Sequence, residues 1–270
     1  MPRIEINQTR LFYQFHGQPE RPILVLNNGI IMNAATSWVF QLEELAAHYR
    51  VLTYDCRGQG QSDHPPGPYT MASHAKDLAE LLKALDIDRA HIAGISYGGE
   101  VAQAFALHYP EKTRSLILAD TASEVGPELL FIIQSWIDAL QTGDPDAFFH
   151  ATVPWNFSPS FIREHPKLLE EARKRYAGLD FPAVIRLCEC FLKVHFTPRL
   201  AEIKAPSCIL VGENDLLKGI GYAQILLENL PRGELHLVPD AGHASCWENP
   251  EVFNTIILGF LAKQVENAAQ

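Results

Sequence analysis

Short, continuously apolar segments alternate with segments of helical periodicity along the first part of this chain. Ile23–Leu26, Val51–Tyr54 and Ser115–Ala119 have the composition of strands that are buried on both faces of a parallel sheet. Helices are predicted between them, among others at Thr36–His48 and Thr70–Leu85. Strands and helices in series predict an α/β fold with a mostly parallel central sheet and helices on both of its faces.

The two ends of the chain extend this pattern. Ile4–Asn7 and Leu11–Phe15 alternate apolar and polar residues around a short polar turn, which predicts an antiparallel hairpin. Near the other end, Cys208–Val211 and Leu235–Val238 are predicted strands, and Val252–Leu261 is a predicted final helix.

The alternation stops between Ser123 and Arg199, where the chain has aromatic, helix-like segments and no apolar strand. An insert of this kind is expected to form a helical lid over the carboxyl edge of the sheet, where open α/β sheets bind ligands. We therefore expect a core domain at residues 1–122 and 200–270 and a helical lid (cap) at residues 123–199, with fraying at Val265–Gln270. The predicted lid helices are Glu128–Leu140, Asp144–Thr152, Pro159–Ala177 and Phe181–Val194.

A sharp turn is predicted where the apolar run ending at Ile95 meets a helical pattern. The residues at this junction, Gly94-Ile95-Ser96-Tyr97-Gly98, hold a serine between two glycines. A side chain at Gly94 or Gly98 is expected to collide with the strand or the helix, and the serine is expected to have a strained backbone. Ser96 is therefore a candidate nucleophile, and the alternative is a small residue that merely fits a tight turn.

A serine hydroxyl becomes a nucleophile when a base removes its proton during attack. His243 and Asp215 each follow a predicted strand, so both are expected at the same sheet edge as Ser96. Two other carboxylates compete with Asp215 for the place beside the histidine. Asp120 directly follows another predicted strand, and Asp240 lies three residues before His243.

Three segments in this order, Gly94–Gly99, Gly212–Asp215 and Ala241–His243, resemble the α/β-hydrolase superfamily. The run Asp55–Ser62 resembles the turn after the fourth strand of the same superfamily. The similarity covers nearly the whole chain, with the predicted lid in the variable region. It implies the α/β-hydrolase fold and leaves the substrate open, because this fold hosts many chemistries.

The resemblance also implies roles for individual residues. Ser96 is the implied nucleophile, His243 the general base and then acid, and Asp215 the group that orients the imidazole. The implied oxyanion hole consists of the backbone N–H groups of Tyr97 and Ile30.

Candidate substrate-binding residues lie in the oxyanion loop and in the lid. Many members of the superfamily carry His-Gly where this chain carries Asn28-Gly29, so Asn28 either supports the loop or reaches the pocket. Most lid aromatics are expected to pack between helices, with Trp136, Trp155 and Phe157 as candidates for the pocket wall. Trp155 is expected in a loop-like stretch between lid helices.

These residues predict a serine hydrolase that cleaves a small-to-medium, largely apolar carboxylic ester, lactone or thioester through an acyl-enzyme on Ser96. One alternative is an acyltransferase that moves an acyl chain to an acceptor other than water. The other is a ligand sensor that keeps the triad but turns over little. Carbon–carbon bond hydrolases and perhydrolases use the same triad. No cofactor is expected, and the histidines lack the spacing of a metal site.

Composition indicates which kinds of partner and which cellular compartment to expect. A net charge of −10 disfavours nucleic acid, and no apolar run approaches the ~18 residues that cross a bilayer. Met1–Glu5 lacks a signal-peptide pattern, and five cysteines without C-x-x-C spacing fit reduced thiols, so we expect a cytoplasmic location. The expected partner is a small-molecule substrate, and the expected assembly is a monomer or homodimer.

Overall fold

The computed structural model of the chain describes residues 2–266, which contain one eight-stranded sheet. The strands run in the order β1-β2-β4-β3-β5-β6-β7-β8; β1–β2 and β2–β4 pair antiparallel and the other neighbours pair parallel. The predicted α/β fold class and the N-terminal hairpin are confirmed. The strands are β1 (Arg3–Ile6), β2 (Thr9–His16), β3 (Ile23–Asn27), β4 (Arg50–Tyr54), β5 (Ala90–Ile95), β6 (Thr113–Ala119), β7 (Ser207–Gly212) and β8 (Gly233–Val238).

Helices surround this sheet, and two short 3₁₀ turns lie at Pro110–Lys112 and Thr197–Glu202. None of the helices in the described part of the chain is long and apolar enough to cross a membrane. The helices are α1 (Leu42–Ala46), α2 (Met71–Ala84), α3 (Tyr97–His108), α4 (Pro127–Gln141), α5 (Pro145–Asn156), α6 (Pro159–Glu164), α7 (Pro166–Tyr176), α8 (Phe181–Phe191), α9 (Ile220–Asn229), α10 (Ser245–Glu248) and α11 (Pro250–Glu266).

Each central strand supplies side chains to two hydrophobic cores, because successive residues of a strand point to opposite faces. In β3, Val25 belongs to the core that includes α2 and α3, whereas Leu24 and Leu26 belong to the other core. That second core contains Leu45 of α1 and Phe253 of α11. Burial on both faces explains why these strands are apolar at every position.

The helix predicted at Thr36–His48 is much shorter in the structure, where only Leu42–Ala46 is helical. Polar side chains hold the preceding residues in turns instead. Ser37 Oγ accepts a hydrogen bond from the Gly29 N–H, and Asn33 Oδ1 accepts one from the Ala35 N–H. Such local side-chain bonds compete with the helical ladder.

Two predictions in the insert also need correction, and both involve proline. The helix predicted at Pro159–Ala177 is divided into α6 and α7, because Pro166 lacks an N–H and disfavours helical geometry at the residue before it. Trp155 is not in a loop. It lies in the last turn of α5, which continues through Pro154 to Asn156.

The insert between β6 and β7 comprises α4 to α8. Its first and last residues lie next to each other. Glu124 and His195 form an isolated antiparallel bridge, and the Phe196 N–H donates to Ser123 O at 2.6 Å. The division into core and lid domains stays a prediction. The expected fraying of Val265–Gln270 lies outside the described residues, apart from the last two positions of α11.

Candidate active site

Ser96 lies in the sharp turn between β5 and α3, with φ 52° and ψ −120°. This positive φ is unusual for a residue with a side chain, and strain of this kind is concentrated at functional sites. A Cβ at Gly94 would lie 2.0 Å from Gly98 O, and a Cβ at Gly98 would lie 2.2 Å from Asn27 O. Both glycines are therefore needed for the strand and helix to approach each other around Ser96.

The three residues of the predicted triad meet at the carboxyl edge of the sheet. His243 Nε2 lies 2.9 Å from Ser96 Oγ, and His243 Nδ1 lies 2.9 Å from Asp215 Oδ2. All three side chains are buried or nearly so. The distances fit a serine that donates to an imidazole while the imidazole donates to a carboxylate, which is the arrangement that general-base activation requires.

The carboxylate of Asp215 is held in place from two sides. Its Oδ1 accepts hydrogen bonds from the backbone N–H groups of Leu217 and Lys218, at 2.8 and 2.9 Å. Its Oδ2 faces His243. These bonds fix the orientation of the carboxylate and therefore that of the imidazole ring.

The two competing carboxylates are bonded elsewhere. Asp120 Oδ1 accepts a hydrogen bond from the Gly212 N–H at 2.9 Å, and its Oδ2 accepts one from the Ser245 hydroxyl. Burial, followed by the nearby charge of Asp215, raises the pKa of Asp120 well above its ordinary value. Asp240 is exposed. Within residues 2–266, neither carboxylate has a hydrogen bond to His243.

The two predicted oxyanion amides lie in the turns that follow β3 and β5. Tyr97 is the first residue of α3, and the amides of a first helical turn have no acceptor in their own helix. Among the described residues, neither the Tyr97 N–H nor the Ile30 N–H donates a hydrogen bond. Neither amide is therefore committed to another acceptor in this part of the chain, and their role as oxyanion donors stays a prediction.

Asn28 supports the loop that carries Ile30. Its Nδ2 donates to Tyr54 O at 2.8 Å, and the side chain is buried. It is not among the residues that line the cavity above Ser96, so its contacts fit the first of the two predicted roles, support of the loop.

A cavity of about 530 Å³ opens above Ser96 and His243. Of the predicted wall residues, Trp136 and Phe157 line it, whereas Trp155 points elsewhere and packs against the hydrophobic core. Further apolar side chains from α5, α8 and the loops after β3 and α7 line the cavity. The sequence did not predict them, because the packing of these segments decides which side chains face the cavity. They are Ile31, Met32, Phe149, Val153, Leu179 and Val184.

Charged side chains form part of the same wall. His64 Nδ1 lies 2.8 Å from Asp180 Oδ2, which joins the loop after β4 to the N-terminus of α8. Lys174 and Arg175 of α7 also line the cavity. The cavity thus combines an apolar interior with a few polar groups, as small-molecule sites commonly do.

Two charged residues beside Ser96 escaped the sequence analysis. Lys218 Nζ lies 2.8 Å from Glu100 Oε1 and 3.4 Å from Ser96 Oγ. The only sequence signal was a carboxylate in the first turn of an otherwise apolar helix.

One group of potential metal ligands lies on β7 and β8. Cys208, Glu234 and His236 place their ligand atoms within 4.8 Å of one another. Glu234 already pairs with His236 at 3.0 Å and with Lys263 at 3.1 Å. Burial raises the pKa of the Cys208 thiol, which keeps it protonated and a poor ligand. This group is separate from the site at Ser96.

Comparisons with known proteins agree with this fold. A family model for the alpha/beta hydrolase fold matches residues 22–250. A 3-oxoadipate enol-lactonase 2 from Acinetobacter baylyi is 31% identical over 244 residues, which are 90% of each chain. A putative carbamate hydrolase, RutD, from Azorhizobium caulinodans is 29% identical over 263 residues, 96% of this chain and 98% of that one. The structure of MGS-M2, an alpha/beta hydrolase enzyme from a Medee basin deep-sea metagenome library, has a TM-score of 0.91 at 30% identity and 97% coverage of both chains.

Proposed function

The chain belongs to the α/β-hydrolase family of enzymes, and we propose that it is a serine hydrolase that cleaves a carboxylic ester, lactone or thioester through an acyl-enzyme on Ser96. The observation that carries the proposal is the hydrogen-bonded series Ser96–His243–Asp215, with 2.9 Å at each step, at the floor of the cavity.

Acylation begins when Ser96 Oγ attacks the carbonyl carbon of the substrate. The hydroxyl proton passes to His243 Nε2, and the electron pair of the carbonyl double bond moves to the oxygen. Asp215 stabilises the imidazolium that results. The intermediate collapses, His243 returns the proton to the leaving oxygen or sulfur, and an acyl group remains on Ser96.

The oxyanion is stabilised by the amides of Tyr97 and Ile30. A donor of this kind lowers the barrier by about 3–4 kcal/mol, because it is aimed in advance at the place where charge develops. The turn at Gly94–Gly98 and the hydrogen bonds of Asn28 hold these donors without further reorganisation.

Deacylation repeats these steps with water as the nucleophile. His243 takes a proton from the water, which attacks the acyl carbon, and Ser96 Oγ leaves with a proton from His243. The free acid and the original enzyme result.

The cavity indicates the substrate class. Its volume of about 530 Å³ and its mainly apolar interior fit a small-to-medium apolar acyl group. The enol-lactonase relative makes lactones the first compounds to test. We propose that residues 123–199 form the lid over this site. Five buried, unpaired cysteines support the expectation of a reducing compartment such as the cytoplasm.

The test compares wild type with Ser96→Ala on p-nitrophenyl esters of increasing chain length, on lactones and on thioesters. We expect turnover of at least one class by wild type and a loss of about 10⁶-fold in kcat in the variant. Product analysis with an added alcohol or thiol distinguishes hydrolysis from acyl transfer. Full activity in Ser96→Ala would refute the proposal.

A further inference from the structure

We propose that Lys218 is a further catalytic residue, whose ammonium stabilises the negative charge that develops on Ser96 Oγ, and that Glu100 is the positioning residue that holds it there. This inference rests on the proposed role of Ser96 as the nucleophile. It assigns a function to a buried ion pair that the triad does not use.

The pair is enclosed and in contact with the reacting atom. The side chain of Lys218 is 3% exposed and that of Glu100 is 0% exposed. Lys218 Nζ lies 3.4 Å from Ser96 Oγ, which is long for a hydrogen bond. Catalytic hydrogen bonds are often long in the free enzyme and tighten when charge develops. The ammonium is therefore in position to respond to an oxygen that becomes negative.

Several contacts fix the pair in place. Glu100 Oε1 also accepts hydrogen bonds from the Thr121 hydroxyl at 2.7 Å and the Ala122 N–H at 3.1 Å. The ring of Phe191 in α8 lies 4.3 Å from Lys218 Nζ. This enclosure excludes water, and a charge acts more strongly on its neighbours where the effective dielectric constant is low.

Lys218 contacts both ends of the triad. Its backbone N–H donates to Asp215 Oδ1 at 2.9 Å, and its ammonium reaches Ser96 Oγ. A change in the loop after β7 would therefore move the carboxylate and the ammonium together. This coupling favours a role in the reaction over an unrelated ion pair that merely lies nearby.

Stability alone explains the pair poorly. A buried ion pair is often no more stabilising than apolar residues of the same volume, because both charges lose their hydration. Glu100 Oε2 is buried and has no hydrogen-bond partner among the described residues, which adds to this cost. A charged pair at this position is better explained by what the charge does to Ser96.

The ammonium acts without giving up a proton. In acylation the Ser96 hydroxyl proton goes to His243, and in deacylation the bond from the acyl carbon to Oγ breaks and His243 returns the proton. Lys218 stabilises the electron pair on Oγ in both transition states. Several other charged or titratable groups lie near this site. Asp215, Asp120 and Glu248 are on the His243 side, Tyr97 and Cys190 are near Glu100, and His64, Lys174 and Arg175 are on the cavity wall.

The test measures how fast a fluorophosphonate labels Ser96, with mass spectrometry to locate the label. The double variant Lys218→Met/Glu100→Gln removes both charges and leaves no unpaired ion. We expect labelling about 10–100-fold slower than in wild type, as for loss of a hydrogen bond from a charged group. Labelling within about twofold of wild type would overturn the role of Lys218.

A control removes a second ion pair, in which Asp77 is buried and Arg57 is half-buried. Arg57 Nε lies 2.6 Å from Asp77 Oδ2 and joins the loop after β4 to α2, without contact to Ser96. The double variant Arg57→Met/Asp77→Asn removes this pair. This control is expected to label at the wild-type rate. If wild type itself is not labelled at Ser96, the proposed function fails. If wild type and the first double variant label equally, only the role of Lys218 fails.

A single variant gives a second readout if the double variant does not fold. Glu100→Gln keeps the ammonium of Lys218 and removes the negative charge of Glu100. Without that negative charge, the positive imidazolium form of His243 becomes less favourable. In Glu100→Gln, the acidic limb of the plot of labelling rate against pH should therefore move to lower pH. In Lys218→Met, which removes a positive charge, that limb should move to higher pH. A pair whose charges do not act at the Ser96–His243 contact predicts no such displacement. An unmoved limb in a folded Glu100→Gln protein would therefore also overturn the proposal.

Discussion

His243 Nε2 lies 2.9 Å from Ser96 Oγ, although the two residues are 147 positions apart in the sequence. Their strands, β5 and β8, are not neighbours, because β6 and β7 lie between them. Parallel strands bring their carboxyl ends to one edge, and the residues that follow those strands meet there. The contact therefore follows from the strand order.

The identity of the orienting carboxylate can be tested by two matched amides. Asp215→Asn should lower kcat by about 10⁴-fold, because an amide facing Nδ1 favours the wrong tautomer of His243. Asp120→Asn should change kcat by less than about tenfold, since an amide oxygen can accept from Gly212 and an amide N–H can donate to Ser245. Steady-state kinetics on one ester checks both, and a larger loss in the Asp120 variant would reverse the assignment.

The tight approach of strand and helix around Ser96 predicts a stability difference between two glycines. Gly98→Ala should destabilise the fold by about 3 kcal/mol or more, because its Cβ would lie 2.2 Å from Asn27 O. Gly259→Ala, in α11, meets nothing within 4 Å and should stabilise by about 0.5–1 kcal/mol. Urea unfolding measures both changes, and equal effects would show that the space around Gly98 is not limiting.

The cavity wall predicts different results for two neighbouring aromatic residues. Phe157→Ala should raise KM for medium-chain esters by about tenfold, because Phe157 lines the cavity and each CH₂ of the acyl chain that it covers is worth about 0.8 kcal/mol. Trp155→Ala should leave KM unchanged, because Trp155 does not line the cavity. KM across an ester chain-length series checks this, and similar increases in both variants would contradict the described wall.

The burial of His91 leads us to predict that the folded protein loses stability in acid. This burial, followed by the charges of Arg114 and Arg89, lowers the pKa of His91 to about 4. Below pH ~6.5 the unfolded chain takes up a proton that the folded protein excludes, so stability falls as the pH drops from there to about 4. The free energy of unfolding should fall by about 3 kcal/mol in all between these two pH values.

The control for that prediction is His91→Gln, which removes the titrating ring and keeps a side chain that can bond to Ser115. Its unfolding free energy should fall less than that of wild type over the same pH window. Parallel curves for the two proteins would show that His91 does not exclude the proton. His74, whose pKa is lowered to about 3, chiefly by burial, destabilises both proteins in the same sense and cancels in the comparison.

The turn at Ser96 was predictable because its requirements are local. Glycines at positions 94 and 98 are needed for contacts within a few residues, and apolar and helical patterns flank the serine on either side. His243 and Asp215 were predictable for a related reason. Each follows a predicted strand, and the carboxyl ends of parallel strands lie at the same edge of the sheet. Asp215 and Asp120 both satisfied that criterion, and only the packing of the loop after β7 brings Asp215 to the imidazole.

Features that depend on packing between distant segments were missed. Lys218 and Glu100 are 118 positions apart, and no spacing relates them. Trp155 and Phe157 are two residues apart in an aromatic stretch, and the helical geometry around Pro154 decides that only Phe157 lines the cavity. Polar side chains such as Ser37, which bond to loop backbone, also shortened a helix that the apolar pattern favoured.

The most direct test of the account is to trap the covalent intermediate. Wild-type protein is mixed with a p-nitrophenyl ester, stopped with acid during turnover, digested and analysed by mass spectrometry. We predict one added acyl group on the peptide that contains Ser96, and none on the same peptide from Ser96→Ala. Turnover of the ester by Ser96→Ala at the wild-type rate, or an acyl group found on a different residue, would contradict the central claim that this serine is the nucleophile.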